Sequence, residues 1–246
     1  TISWEAYTQK HLKLTGQVMS YLHDSLSQLP LTLKSQLPNQ VEELEALQRK
    51  MRQYFNQQVV TDALEKKLGL KIADRKLLQT SQLFSALSDL ESSQPLHMDF
   101  VRSNILFSKI PKQRLVSTGQ ENFSFNFFKK ADNSQKFLTI SGILDLEKVS
   151  LGPKIIDIAR TLAFLLVDCK YKTPEKVRKC FLQSGYHKRG PSELKNLQFL
   201  EALVVFFWIY DFYKFLKHNP YQFLSENEHF GRTKKFLLNK NILQQT

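Results

Sequence analysis

Apolar positions recur along much of this chain at spacings of three to five residues, and that period predicts helices. Tyr7, Leu12, Leu14, Val18, Met19, Leu22 and Leu26 set out a helix over residues 4–27. Val41, Leu44, Leu47, Met51, Tyr54 and Phe55 share one face of a second. Asn39 is its expected N-cap, and Glu42 and Glu43 fall in its first turn, where the helix dipole favours carboxylates. Between these two, residues 29–38 read as a connection. A shorter helix is expected over 62–68, ending near Gly69, and another opens at Asp74 with Leu77, Leu78, Phe84, Leu87 and Leu90 apolar.

The period changes at Pro95. From 96 to 147 the chain carries short apolar or alternating runs, at 104–107, 114–116, 123–128 and 137–140. Turn material such as Ser117-Thr118-Gly119 and Ala131-Asp132-Asn133-Ser134 divides them, the pattern of β-hairpins. After Gly152-Pro153 helices resume, over about 155–167, 174–184, 194–217 and 226–238. The stretch holding Phe206, Phe207, Trp208, Phe212 and Phe215 is apolar nearly all round, which marks the centre of a core. The expected class is α+β and mainly α-helical: helical over 1–94, a small β segment over 95–152, helical again over 153–246.

Composition narrows the function classes. A chain of 246 residues can form one large domain or two small ones, and 42% apolar with 24% charged residues is ordinary for a soluble globular protein. The most apolar uncharged run, from Ala202 to Tyr210, is closed by Glu201 and Asp211 and is too short to span a bilayer, so no membrane partner is expected. Nothing resembles a signal peptide, and Cys169 and Cys180 make no disulfide framework, so the expected setting is cytoplasmic. The net charge of +12 lies entirely beyond the first hundred residues, which hold 11 Lys and Arg against 11 Asp and Glu. Its basic residues are scattered in pairs such as Lys188-Arg189 and Lys234-Lys235, and no nucleic-acid-binding motif accompanies them. Nucleic acid is therefore not an expected partner.

The chemistry concentrates in His97-Met98-Asp99-Phe100-Val101-Arg102-Ser103-Asn104-Ile105-Leu106. An Asp stands five residues before an Asn, with a His two residues ahead. Forty-one residues after Asn104 comes a second apolar-flanked acid, in Ser141-Gly142-Ile143-Leu144-Asp145-Leu146-Glu147. One base and two divalent-metal ligands at such spacing are what ATP-dependent phosphoryl transfer to a hydroxyl needs. The first segment alone arises by chance in about one chain of this length in a hundred. The bland reading makes His97 a turn residue, puts Asp99 and Asn104 in a loop and ends a strand at Asp145.

Together with two further stretches, these segments resemble the C-terminal lobe of the aminoglycoside/choline/homoserine kinase superfamily, protein-kinase-like phosphotransferases of small molecules. The further stretches are Gly152-Pro153 followed by Asp157-Ile158-Ala159-Arg160, and Leu14-Thr15-Gly16 leading to Tyr21-Leu22-His23. The likeness runs from the first helix to about residue 168. It implies a kinase-like C-lobe over the whole of 1–246, with candidate acceptor-binding helices between 38 and 91 and after 170. Asp99 is implied as the catalytic base, and Asn104 and Asp145 as ligands of Mg2+ that bridges the phosphates of ATP, the implied donor. Leu106 and Leu144 would floor the nucleotide, His97 would tie the catalytic loop to the metal-binding segment, and Asp157 would brace that loop.

Simpler readings stand beside these. Asp157 would be an ordinary first-turn carboxylate, Leu106 and Leu144 generic core, and Glu147 an exposed acid; Arg102 would reach a phosphate or lie in solvent. Met98 and Ser103 stand where the family commonly has glycines, which points to a different loop backbone, and the gap from Asn104 to Asp145 is longer than usual. The upstream β-rich lobe of such kinases is absent from the chain, whose eight glycines form no Gly-x-Gly-x-x-Gly. Gly185 to Ser192 has Walker-like glycine spacing, but Pro191 replaces the lysine. A missing N-lobe, or a separate chain supplying it, is thus an implied partner, and weak or absent ATP turnover is expected from this chain alone. The alternative is a non-catalytic pseudokinase or interaction module. Aminoglycosides are polycations that suit an acidic surface, and none is evident in the local charge balance. A neutral or anionic hydroxyl compound is the expected acceptor.

Overall fold

Capping chemistry, rather than apolar spacing, decides where the first helix begins. The computed structural model describes residues 6–69, 84, 87, 93–111, 136–189 and 197–238. In it α1 spans Gln9–Ser27, starting later than the apolar period suggests because Thr8 and His11 form a reciprocal capping box. The connection that follows holds a short helix, α2 (Leu31–Lys34), entered through Pro30. Asn39 caps α3 (Gln40–Phe55) as expected, its Oδ1 accepting from the Val41 amide at 3.0 Å. Helix α4 (Gln58–Ala63) widens into a π turn at Leu64–Leu68 and stops at Gly69, whose φ of 60° is the left-handed conformation that ends helices. Of the helix expected from Asp74, only Phe84 and Leu87 lie within the described residues, and both are buried.

Two small antiparallel pairs follow. β1 (Gln94–Leu96) pairs with β4 (Ser150–Gly152), and β2 (Ile105–Pro111) pairs with β3 (Lys136–Ile143) from Ile105 opposite Ile143 to Pro111 opposite Lys136. A bulge between Leu106 and Phe107 interrupts the second ladder. The runs expected at 114–116 and 123–128 lie outside the described residues. The first pair anchors the β segment to α3, since the Leu151 amide donates to the Pro38 carbonyl at 2.7 Å.

The second helical group comprises α5 (Lys154–Asp168), α6 (Pro174–Arg178), α7 (Leu197–His218) and α8 (Glu228–Leu238). α6 runs into a second π turn, Lys179–Gln183. As its composition predicts, α7 forms the middle of the core: Leu203, Phe206, Trp208 and Phe212 are fully buried. The Trp208 indole donates to the Ala163 carbonyl at 3.0 Å and stacks on Phe236, which fastens both α5 and α8 to α7. α1 lies against the second π turn at Gly16, where a Cβ would press on the Phe181 carbonyl and come within 2.8 Å of the Tyr186 nitrogen. Among the described residues no helix is long and apolar enough to cross a membrane.

Candidate active site

The loop from His97 to Asn104 leaves β1, makes one 3-10 turn at Arg102–Asn104 and enters β2. Its backbone is held from behind by Asp157, a fully buried carboxylate in the first turn of α5. Asp157 Oδ2 accepts from the His97 amide at 2.9 Å and from His23 Nε2 at 3.1 Å, and Oδ1 accepts from the Met98 amide at 3.2 Å. Burial alone would raise the pKa of this acid. The hydrogen bond from His23 and those from the loop outweigh it and hold the carboxyl below its usual range. His23 in turn meets the Tyr186 hydroxyl through Nδ1 at 2.7 Å, so a buried chain of polar groups runs from residue 186 to the loop. The simpler reading of Asp157, a first-turn carboxylate and nothing more, does not survive these contacts.

His97 ties two segments together. Its Nδ1 accepts from the Asp99 amide at 3.2 Å, which leaves Nε2 to carry the hydrogen donated to the Leu144 carbonyl at 3.1 Å. The Leu144 amide donates to the Asn104 carbonyl at 2.9 Å. Asp145 therefore follows directly after a residue pinned on both sides to the loop. Asn104 Nδ2 donates to the Asp99 carbonyl at 2.9 Å and reaches Asp99 Oδ2 at 3.3 Å, while Asn104 Oδ1 accepts from the Ser103 hydroxyl. Asp99 and Asn104 are buried and in contact; Asp145 is exposed, and its carboxylate makes no hydrogen bond among the described residues.

Two non-glycine residues of the described chain have positive φ, and both belong to this site: Met98 at 60° and Asp145 at 63°. Such backbone is costly for an L residue and gathers at functional sites. Met98 stands where the resemblance expects a glycine. The residue takes the left-handed conformation itself, and the bond from its amide to Asp157 helps hold it there. Leu144 is 45% exposed and Leu106 half-buried, so neither is generic core, and Leu146 and Glu147 are exposed as well. Arg102 is also exposed.

An aminoglycoside phosphotransferase from Alicyclobacillus acidocaldarius superposes on 99% of this chain and 68% of its own, with a TM-score of 0.57 at 15% identity. The chain shares the fold of that phosphotransferase. A mutant of aminoglycoside 2'-phosphotransferase IIIa, solved with GDP, aligns over 95% of this chain and 67% of its own at a TM-score of 0.47 and 12% identity. No protein-family model and no curated sequence matches the chain.

Within this kinase-like fold, two residues that the motif reading did not single out complete the surroundings of Asp99. Lys148 Nζ lies 2.7 Å from Oδ2 and Arg160 3.4 Å from Oδ1. The guanidinium of Arg160 also sits between the Phe164 and Phe207 rings, about equally far from each. Burial pushes the Asp99 carboxyl up, but the Lys148 hydrogen bond and the Arg160 charge together hold it below the ordinary carboxylate value. Arg160 stood in the quoted Asp-Ile-Ala-Arg stretch. Lys148 lies three residues beyond Asp145, a spacing that the β3–β4 turn converts into proximity to Asp99. His23, within the quoted Tyr-Leu-His, and Tyr186 were recognisable only through a contact across 163 residues.

Proposed function

We propose that this chain carries the phosphoryl-acceptor half of a Mg2+- and ATP-dependent small-molecule kinase. The supporting observation is the contact of Asn104 with Asp99 together with the His97–Leu144–Asn104 links that set Asp145 beside them, in a fold shared with a phosphotransferase. In this reading Asp99 orients the acceptor hydroxyl and takes its proton as the oxygen bonds to the γ-phosphorus and the bond to the ADP oxygen breaks. Asn104 and Asp145 offer an amide oxygen and a carboxylate, the hard donors Mg2+ prefers, and the open position of Asp145 suits a ligand that must also meet a nucleotide. Bound there, the ion would neutralise the phosphates. The half-buried Leu106 and the exposed Leu144 offer the apolar surface on which a nucleotide would rest.

One observation favours a second reading, a non-catalytic scaffold. Both carboxylate oxygens of Asp99 are engaged by cations. The readings part on nucleotide binding. On the first, ATP raises the melting temperature of the chain only with Mg2+, and Asp145→Asn removes that rise. If calorimetry and melting both find no Mg2+-dependent ATP binding, the chain is a scaffold.

A further inference from the structure

A cleft of about 470 Å3 opens beside Asp99, bounded by Leu44 and Met98 and walled by Lys148, Arg160, Tyr210 and Lys214. Its sheltered wall is richer in cations than in anions. Lys148 and Arg160 share the single carboxylate of Asp99. Arg160 is 14% exposed, and its Nε has no hydrogen-bond partner among the described residues. On the far side Lys214 rides 4.6 Å above the Tyr210 ring centroid and pairs with Asp211, whose other oxygen faces His229 at 3.7 Å. Asp99 and Asp211 lie behind the cations of the wall, and the carboxylates that line the cleft itself, Glu43 and Glu147, are exposed, where water and salt screen them.

We propose that the acceptor is a small hydroxylated anion whose carboxylate or phosphate is received by Lys148, Arg160 and Lys214, and that this anion draws Lys148 off Asp99. The role of Asp99 rests on the phosphotransferase reading; the charge of the ligand rests on the cleft alone. Lys148 Nζ now stands 2.7 Å from Oδ2, the position an acceptor hydroxyl must take. A neutral alcohol would have to break that ion pair and leave the ammonium without a counter-charge. An anion offers the ammonium a new partner, so the exchange is nearly balanced, and the flexible stem of a half-exposed lysine permits the swing. Arg160, only 14% exposed and lying against the Phe164 and Phe207 rings, stays and keeps Asp99 ionised. A polycation would meet the same wall as repulsion.

The test uses the whole chain without nucleotide and measures binding of glycerate, glycerol phosphate, glycerol and spermidine by calorimetry. The wild type is expected to bind the two anions at a shared site, at least about tenfold more tightly than glycerol, and spermidine not to compete. Lys148→Met and Lys214→Met are each expected to weaken anion binding about tenfold while leaving glycerol unchanged, consistent with loss of one charge-assisted hydrogen bond. Lys148→Arg, which keeps the charge, stays within a few fold of the wild type and shows that any loss is not misfolding. The tighter of the two anions tells carboxylate from phosphate. Equal affinity for glycerol, competition by spermidine, anion binding indifferent to both Met variants, or no anion binding at millimolar concentration overturns the proposal. None of these outcomes bears on Mg2+-dependent ATP binding, so the two readings fail separately.

Discussion

Replacing Asp157 with Asn tests whether one buried carboxylate shapes the loop that holds Asp99. The native acid accepts three hydrogen bonds, two on Oδ2 and one on Oδ1. An asparagine can keep its oxygen on the doubly bonded side, but its NH2 then faces the Met98 amide, donor against donor. One backbone N–H and one amide hydrogen are left buried without acceptors, and two charge-assisted bonds become neutral ones. Each orphaned donor costs about 1–3 kcal/mol and each weakened bond a fraction of that, partly offset because a charge no longer has to be buried. The expected net loss is about 2–4 kcal/mol, or roughly 5–15 °C in melting temperature for a chain of this size. Urea unfolding followed by circular dichroism at neutral pH measures it. The acid side gives a second signature. Because the folded-state pKa is depressed, the contribution of Asp157 is present above the unfolded-state value near about 3.9 and is lost as pH falls through the folded one. The difference between wild type and Asn variant must therefore shrink in acid. A variant within about 0.5 kcal/mol of the wild type at neutral pH, or a gap that does not change below pH 4, would refute the bracing role.

Two further outcomes follow from the packing. Gly16→Ala gains about 1 kcal/mol of helix propensity but drives a methyl into the Phe181 carbonyl and the Tyr186 nitrogen, both backbone atoms, so a net destabilisation of at least about 1–3 kcal/mol is expected in chemical denaturation. His229 is raised to about 9: burial opposes the charge, and the hydrogen bond to Asp168 with the nearby Asp211 carboxylate outweighs it. Its stabilising contribution is full below the unfolded value of about 6.5 and fades as pH rises through about 9, so melting temperature should fall between pH 7 and 10 in the wild type and stay flat in His229→Gln.

What sequence could show depended on the range of the interaction involved. Asn39, Gly69 and the apolar girth of residues 206–215 each act within a turn or two, and each was readable. The start of α1 was misplaced because apolar spacing overrides nothing when a Thr-His capping box lies downstream. The β1–β4 pair went unseen because three residues, Gln94-Pro95-Leu96, carry no period and find their partners only through the fold. Both π turns escaped for a similar reason: their sequences read as plain helix, and the wider winding comes from packing. In the site, the spacing from His97 to Asn104 and the acid at 145 were legible as a motif. The pairing of Lys148 and Arg160 with Asp99 was not, since those contacts cross 49 and 61 residues.

Met98 shows how a residue with a full side chain can hold a backbone conformation that ordinarily favours glycine. Its left-handed backbone is secured by an acid 59 residues away rather than by the absence of a side chain. Evolution is then at liberty to decorate that position, here with a thioether buried at the edge of the cleft, as long as the distant acid persists.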